Sequence, residues 1–269
     1  MDCRKKKEFW IGCRKGDLEK VKELSKHANN VNWANEKKKS QTGLHIACYR
    51  GRREVVEYLL TLPLIQFNVG DAVGKTPLHV ACESGKEEIV KILLKNERVD
   101  VNKGNIGRQT PLCIACVHGR SEVVKILLKD VRVDVNQGDQ TGRTPLYCAC
   151  LNRNEKITKI LLRDGRIKVN QVDYSGITPL WDACSRGRED FVKILLASRK
   201  EIDVTKRTRE GVHNWNGLTA EKVARNHGYD EIAELVNEYG RNPRDTFLRL
   251  RKELGNRDFM IFPPFSFHS

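Results

Sequence analysis

Gly70-Asp71-Ala72-Val73-Gly74-Lys75-Thr76 has the residue types of a phosphate-binding loop, with glycines that let backbone N–H groups approach an anion and a lysine to reach it. Its spacing argues against that chemistry: the motif needs four residues between its glycines, and here there are three. Cys113-x-x-Cys116 and Cys148-x-Cys150 offer four thiols, the number a tetrahedral zinc site takes. His45 and His79, each preceded by Thr-x-Leu, are candidate bases, but no nucleophile recurs beside them. Lys91, Lys125, Lys159 and Lys193 would form a basic ridge if their helices stacked, and a ridge of that kind can follow a phosphate backbone. No catalytic triad or paired-acid constellation stands out, so no catalytic centre is expected within these residues.

What positions these residues is a repeat. Thr76-Pro77-Leu78 recurs as Thr110-Pro111-Leu112, Thr144-Pro145-Leu146 and Thr178-Pro179-Leu180, each 34 residues on, with Thr42-Gly43-Leu44 one period earlier. Ala47, Ala81, Ala115, Ala149 and Ala183 keep the register, as do Cys48, Cys82, Cys116, Cys150 and Cys184. Gly51, Gly85, Gly119 and Gly187 follow, with Arg153 breaking the series. Leucine pairs close each unit, from Leu59-Leu60 to Leu195-Leu196.

Each unit reads as two short helices. Threonine is a good N-cap and proline suits the first helical position. Leu78, Ala81 and Cys82 then share one face, and Gly85 ends the helix. The second helix, with Ile89, Val90, Ile92, Leu93 and Leu94, is too short to stand alone in water. An extended Val-Asp-Val-Asn follows at 99–102 and 133–136, and then a turn leads to the next Thr-Pro. Such pairs bury their apolar faces only by stacking on neighbours.

The repeat reassigns the chemical candidates. Gly74-Lys75-Thr76 is the turn into a Thr-Pro start. Cys116 and Cys150 belong to a series of small buried residues, the more ordinary role of a free cysteine. Glu87, Glu155 and Glu189 lie four residues before Lys91, Lys159 and Lys193, the favourable order for pairing on a solvated helix.

Thr76-Pro77-Leu78-His79-Val80-Ala81 resembles the signature of the ankyrin repeat family, and Thr42-Gly43-Leu44-His45-Ile46-Ala47 departs from it only at proline. The three other units carry Cys113, Tyr147 and Trp181 in place of histidine. The resemblance implies an all-α ankyrin-repeat solenoid of helix-turn-helix units with short β-hairpin turns, capped at both ends. Its histidines would be structural, bracing the turn, and its cysteines stand where the family usually has alanine. The expected boundaries are a repeat domain over 1–240, in units 1–36, 37–70, 71–104, 105–138, 139–172, 173–211 and 212–240, then a lid helix and tail over 241–269. An insertion is expected within Thr205–Asn216, ending near Trp215.

The repeats also align the chain with itself. On the first helix the pair Tyr49-Arg50 becomes Glu83-Ser84, Val117-His118, Leu151-Asn152 and Ser185-Arg186. The preceding turns vary likewise and supply Lys75, Gln109, Arg143, Tyr174 and Ile177. With Trp181 these make up the expected binding set. The resemblance implies that turns and first helices line a concave face that binds another protein.

The 269 residues carry 49 Lys and Arg against 35 Asp and Glu, a net charge of +14. That excess favours an acidic or mixed partner and salt-sensitive association. Nucleic acid or a phosphate ligand on the basic surface is the alternative, and the recognition arm of a larger enzyme a third. No cofactor and no metal are expected. Hydrophobic residues make up 39% of the chain, enough for a packed core, and no apolar run is long enough for membrane insertion. Nine cysteines without a visible secretory leader suit a reducing, cytoplasmic location. Arg4–Lys7, Lys37–Lys39 and Lys206–Arg209 leave a nuclear one open. The oligomeric state is not set by the sequence.

Overall fold

A computed structural model describes residues 3–26, 31–211 and 217–255. The fold is an all-α repeat solenoid whose chain divides into two compact units, Met1–Lys168 and Val169–Ser269.

The first unit holds five helix pairs: α1 Cys3–Lys15 with α2 Leu18–Ser25, α3 Gly43–Arg50 with α4 Arg53–Thr61, α5 Pro77–Ser84 with α6 Glu87–Leu94, α7 Pro111–Val117 with α8 Ser121–Leu128, and α9 Pro145–Leu151 with α10 Glu155–Leu162. First helices pack on first helices from α1 through α9, and second helices on second helices from α2 through α10. The core lies between the two layers. Leu78, Ala81, Cys82, Val90 and Leu93 are almost wholly enclosed, as are their equivalents in the neighbouring pairs.

Local chemistry sets each pair. The Thr76 hydroxyl accepts from His79 N, and His79 Nδ1 accepts from Thr76 N at 3.0 Å, so two N–H groups that the helix cannot use are satisfied. Thr110 and Thr144 keep the first half of this arrangement. Gly85 closes α5 at φ +69°, and its N–H turns back to the Ala81 and Cys82 carbonyls. Arg153 takes up the same left-handed conformation at φ +58° without being glycine. Replacing Arg153 with glycine is therefore expected to raise stability by about 0.5 kcal/mol, the left-handed penalty less the entropy glycine adds to the unfolded chain. Urea unfolding checks this, and a destabilised variant contradicts it.

The turns are tight and lack regular strands among the described residues. Among the described residues the only bridge pairing is Asn35 with Gln41. Each turn is closed by one bond across its base, such as Asp71 N to Lys75 O and Asp139 N to Arg143 O. Neighbouring tips are joined by Ala72 N to Lys39 O, Ile106 N to Val73 O and Gln140 N to Gly107 O. Gly74, at φ +76°, permits that approach: a Cβ there would come within 2.8 Å of Ile106 N.

A second seam is built from asparagine. Asn102 Nδ2 donates to Arg132 O at 2.7 Å, and Asn102 Oδ1 accepts from Asp134 N at 2.8 Å. Asn32, Asn68 and Asn136 repeat both bonds one unit apart. Asn102→Ala leaves two backbone groups of the next pair without partners, and a loss of about 1–2 kcal/mol is expected in urea unfolding. A variant as stable as the parent would show that water replaces both bonds.

The second unit contains α11 Pro179–Ser185, α12 Glu189–Leu196, α13 Ala220–Asn226, α14 Asp230–Arg241 and α15 Pro243–Glu253. α11 packs on α13, and α15 lies against α12 and α14 with Leu250 wholly buried. Thr208 N donates to Leu218 O, and Thr208 Oγ1 accepts from Leu218 N, closing the chain inserted before α13. Trp215 and the tail Phe262–Phe267 lie outside the described residues.

Candidate interaction surface

The residues with chemical potential are mostly bound up in the repeat itself. In the Gly70–Thr76 turn the Asp71 carboxylate accepts from Val73 N and Lys75 N, both at 3.0 Å, so donors that would cradle a phosphate already hold an internal anion. Cys13, Cys48, Cys82, Cys116 and Cys184 are buried, and burial pushes their thiols up. Cys113 Sγ donates to Cys148 Sγ at 3.2 Å, which together with burial raises the Cys113 thiol further. His45 and His79 are fully enclosed, with Nε2 bonded to Lys75 O and Gln109 O at 2.8 and 2.9 Å. Nδ1 accepts from threonine N–H, so Nε2 carries the proton and donates. Desolvation pushes both histidines down, His79 to about 4.

Each lysine of the expected ridge has a glutamate partner on its own helix. Lys91 pairs with Glu88, Lys125 with Glu122, Lys159 with Glu155 and Lys193 with Glu189. Lys91 departs from the expected partner: it bonds one helical position nearer, to Glu88 rather than Glu87.

The variable positions form a different kind of surface. In the first unit Tyr49, Arg50, His118 and Asn152 are exposed. Lys75, Glu83, Ser84, Gln109, Val117, Arg143 and Leu151 are half-buried. Arg50 lies over the Tyr49 ring and Arg143 over the Tyr147 ring. Glu83 takes Lys75 Nζ at 2.8 Å on one carboxylate oxygen and faces His118 Nε2 at 3.5 Å with the other. Gln109 Oε1 accepts from Asn105 Nδ2, Ser84 Oγ donates to Val80 O, and Asn152 Nδ2 donates to Cys148 O.

In the second unit Tyr174 and Arg186 are exposed, and Ile177 and Ser185 half-buried. Arg186 Nε contacts both oxygens of Asp182 at 3.0 Å. Trp181 is a correction. Expected on the surface, it is 4% exposed, and its indole N–H donates to Leu218 O at 3.0 Å. It fills the place where His45 and His79 are buried, and a large ring there is covered as the smaller ones are.

Two exposed large apolar residues of these turns were not in the expected set: Val73 and, at 71% exposure, Ile106. An isoleucine between Asn105 and Gly107, inside a polar turn, is the signal that marks the latter.

The family model for ankyrin repeats, described as three copies, matches residues 9–105, 63–139, 97–173 and 131–208. The chain belongs to the ankyrin repeat family. Ankyrin repeats are generally protein–protein interaction modules and typically non-catalytic. Among solved structures, this ankyrin chain is similar to the ankyrin repeat domain of Bcl-3, described as a unique member of the IκB protein family. The two share 26% identity at a TM-score of 0.73, over 84% of this chain and 97% of that one. Comparison with curated proteins finds no match. No helix among the described residues is long and apolar enough to cross a membrane.

Proposed function

We propose that the chain is a non-catalytic adaptor or scaffold that binds a partner protein through its turns and first helices. In this reading one repeat domain spans 1–240, followed by a C-terminal helix and tail, and the protein works in the cytoplasm or nucleus. One observation carries it. Positions 49, 83, 117 and 151 run through Tyr, Glu, Val and Leu, while Leu44, Leu78, Leu112 and Leu146 beneath them stay the same and buried. Packing fixes the second set and leaves the first free to suit a partner. A stack that holds these side chains in advance also loses little conformational entropy on binding.

Cross-linking capture from cell lysate tests the face. The double variant Leu151→Glu and Arg186→Glu is expected to lose the partners that the parent recovers, with an unchanged helical circular dichroism spectrum. Recovery of the same partners by both proteins removes the assignment. Net charge further leads us to expect an association rate that falls as salt is added. The pairing of each ridge lysine with a glutamate works against the nucleic-acid alternative.

A further inference from the structure

We infer that Arg143 is an anchor for a carboxylate, presented by an acidic and apolar segment of a partner protein that lies against Val117 and Leu151 in the first unit. This rests on the reading above, in which turns and first helices form the binding face, and adds the chemistry of the partner.

The chain's own repetition supplies the argument. Lys75 and Arg143 hold the same place in their repeats. Lys75 Nζ lies 2.8 Å from Glu83 Oε2, so this place reaches the one eight residues further on. Eight residues beyond Arg143 stands Leu151. The cation is retained and its counter-charge is replaced by a hydrocarbon side chain.

Arg143 is not a loosely hydrated surface charge. Its Cζ sits 5.3 Å from the centroid of the Tyr147 ring, and its Nε is closed off from solvent with no hydrogen-bond partner. Among the described residues its guanidinium makes no ion pair. The acid of its own turn, Asp139, accepts from Thr141 N, Thr141 Oγ1 and Arg143 N on Oδ1 and makes no ion pair with the guanidinium. That last bond, with Asp139 N to Arg143 O, pins the backbone that carries the side chain. Arg50 over Tyr49 is the contrast, since both of those residues are exposed and that charge stays in water.

A guanidinium Nε–H closed off from solvent without an acceptor is costly to the folded chain. Set against the Tyr147 ring, its planar fork suits two parallel N–H···O bonds to a carboxylate, a geometry lysine cannot supply. Val117 and Leu151 are half-buried and give an apolar shelf for the residues beside that carboxylate. The fitting ligand is thus a peptide segment with an aspartate or glutamate flanked by apolar side chains.

The test pans a display library of random short peptides against the full chain, then measures fluorescein-labelled winners by polarisation. Enrichment of an acidic residue next to apolar ones is expected. Arg143→Gln is expected to weaken these peptides at least about 10-fold, and its thermal midpoint to stay within about 2 °C of the parent. Arg143→Glu is expected to bind the version of the peptide whose acid is replaced by lysine. Winners without an acidic residue, no winners at all, or equal binding by Arg143→Gln overturn the inference. Leu151→Glu separates the two readings. Peptides lost with Leu151→Glu but kept with Arg143→Gln leave the face of turns and first helices standing and remove Arg143; peptides indifferent to both remove that face.

Discussion

Acidification from pH 6.5 to 4 is expected to strip about 3 kcal/mol of folding stability through His79 alone. The ring is enclosed, and desolvation, ahead of every opposing contact, pulls its pKa from 6.5 to about 4. The native state therefore binds fewer protons than the unfolded chain within that window. Stability from this group is fully present above about pH 6.5, falls as pH drops, and is gone below about pH 4. His45 is shifted in the same direction by the same cause and adds to the effect. Protonation would place a proton where Nδ1 now accepts from Thr76 N, so the capping box would be lost as a charge is created in the interior. His79→Gln is the control, because glutamine can donate to Gln109 O without titrating. Urea unfolding at pH 7, 5.5 and 4.5 should give the variant the flatter profile. Parallel profiles would show that the ring is not the acid-sensitive group.

Truncating the interior should have an effect of similar size and different origin. Leu127 is wholly buried in α8, and its counterparts Leu59, Leu93, Leu161 and Leu195 are buried too. Leu127→Ala removes apolar burial and leaves a cavity between two layers, for about 3 kcal/mol. For a chain of this size that lowers the thermal midpoint by roughly 6–12 °C. Arg50→Ala, on the exposed face, should stay within about 0.5 kcal/mol. Differential scanning calorimetry of both variants distinguishes structural positions from recognising ones, and similar losses would contradict the division.

The repeat was legible because the residues that set it act locally. Threonine caps, proline opens, glycine closes, and apolar residues recur on one face, so helix pairs could be placed from spacing alone. What spacing does not carry is the partner of a side chain one unit away. The recurring asparagine after Val-Asp-Val was visible, but its bonds to backbone groups about one repeat further on were not. Trp181 shows a different failure. It was placed in the expected binding set, although the same register holds the enclosed His45 and His79. A change of residue type marks a free position only where its equivalents are themselves exposed. Arg143 is the converse case: its residue type was noted from the sequence, but its lack of a counter-charge emerged only from the geometry of Lys75 and Glu83.

In the proposed division, positions held constant build the stack while the varying turns and first helices do the recognising. Amide hydrogen exchange of the full chain, free and bound to a partner recovered by cross-linking, tests it most directly. New protection is expected in 75–84, 109–118 and 143–152 of the first unit and 174–186 of the second, with 87–95, 121–129 and 155–163 unchanged. Protection confined to those second helices, with the turns still exchanging as in the free chain, would contradict it.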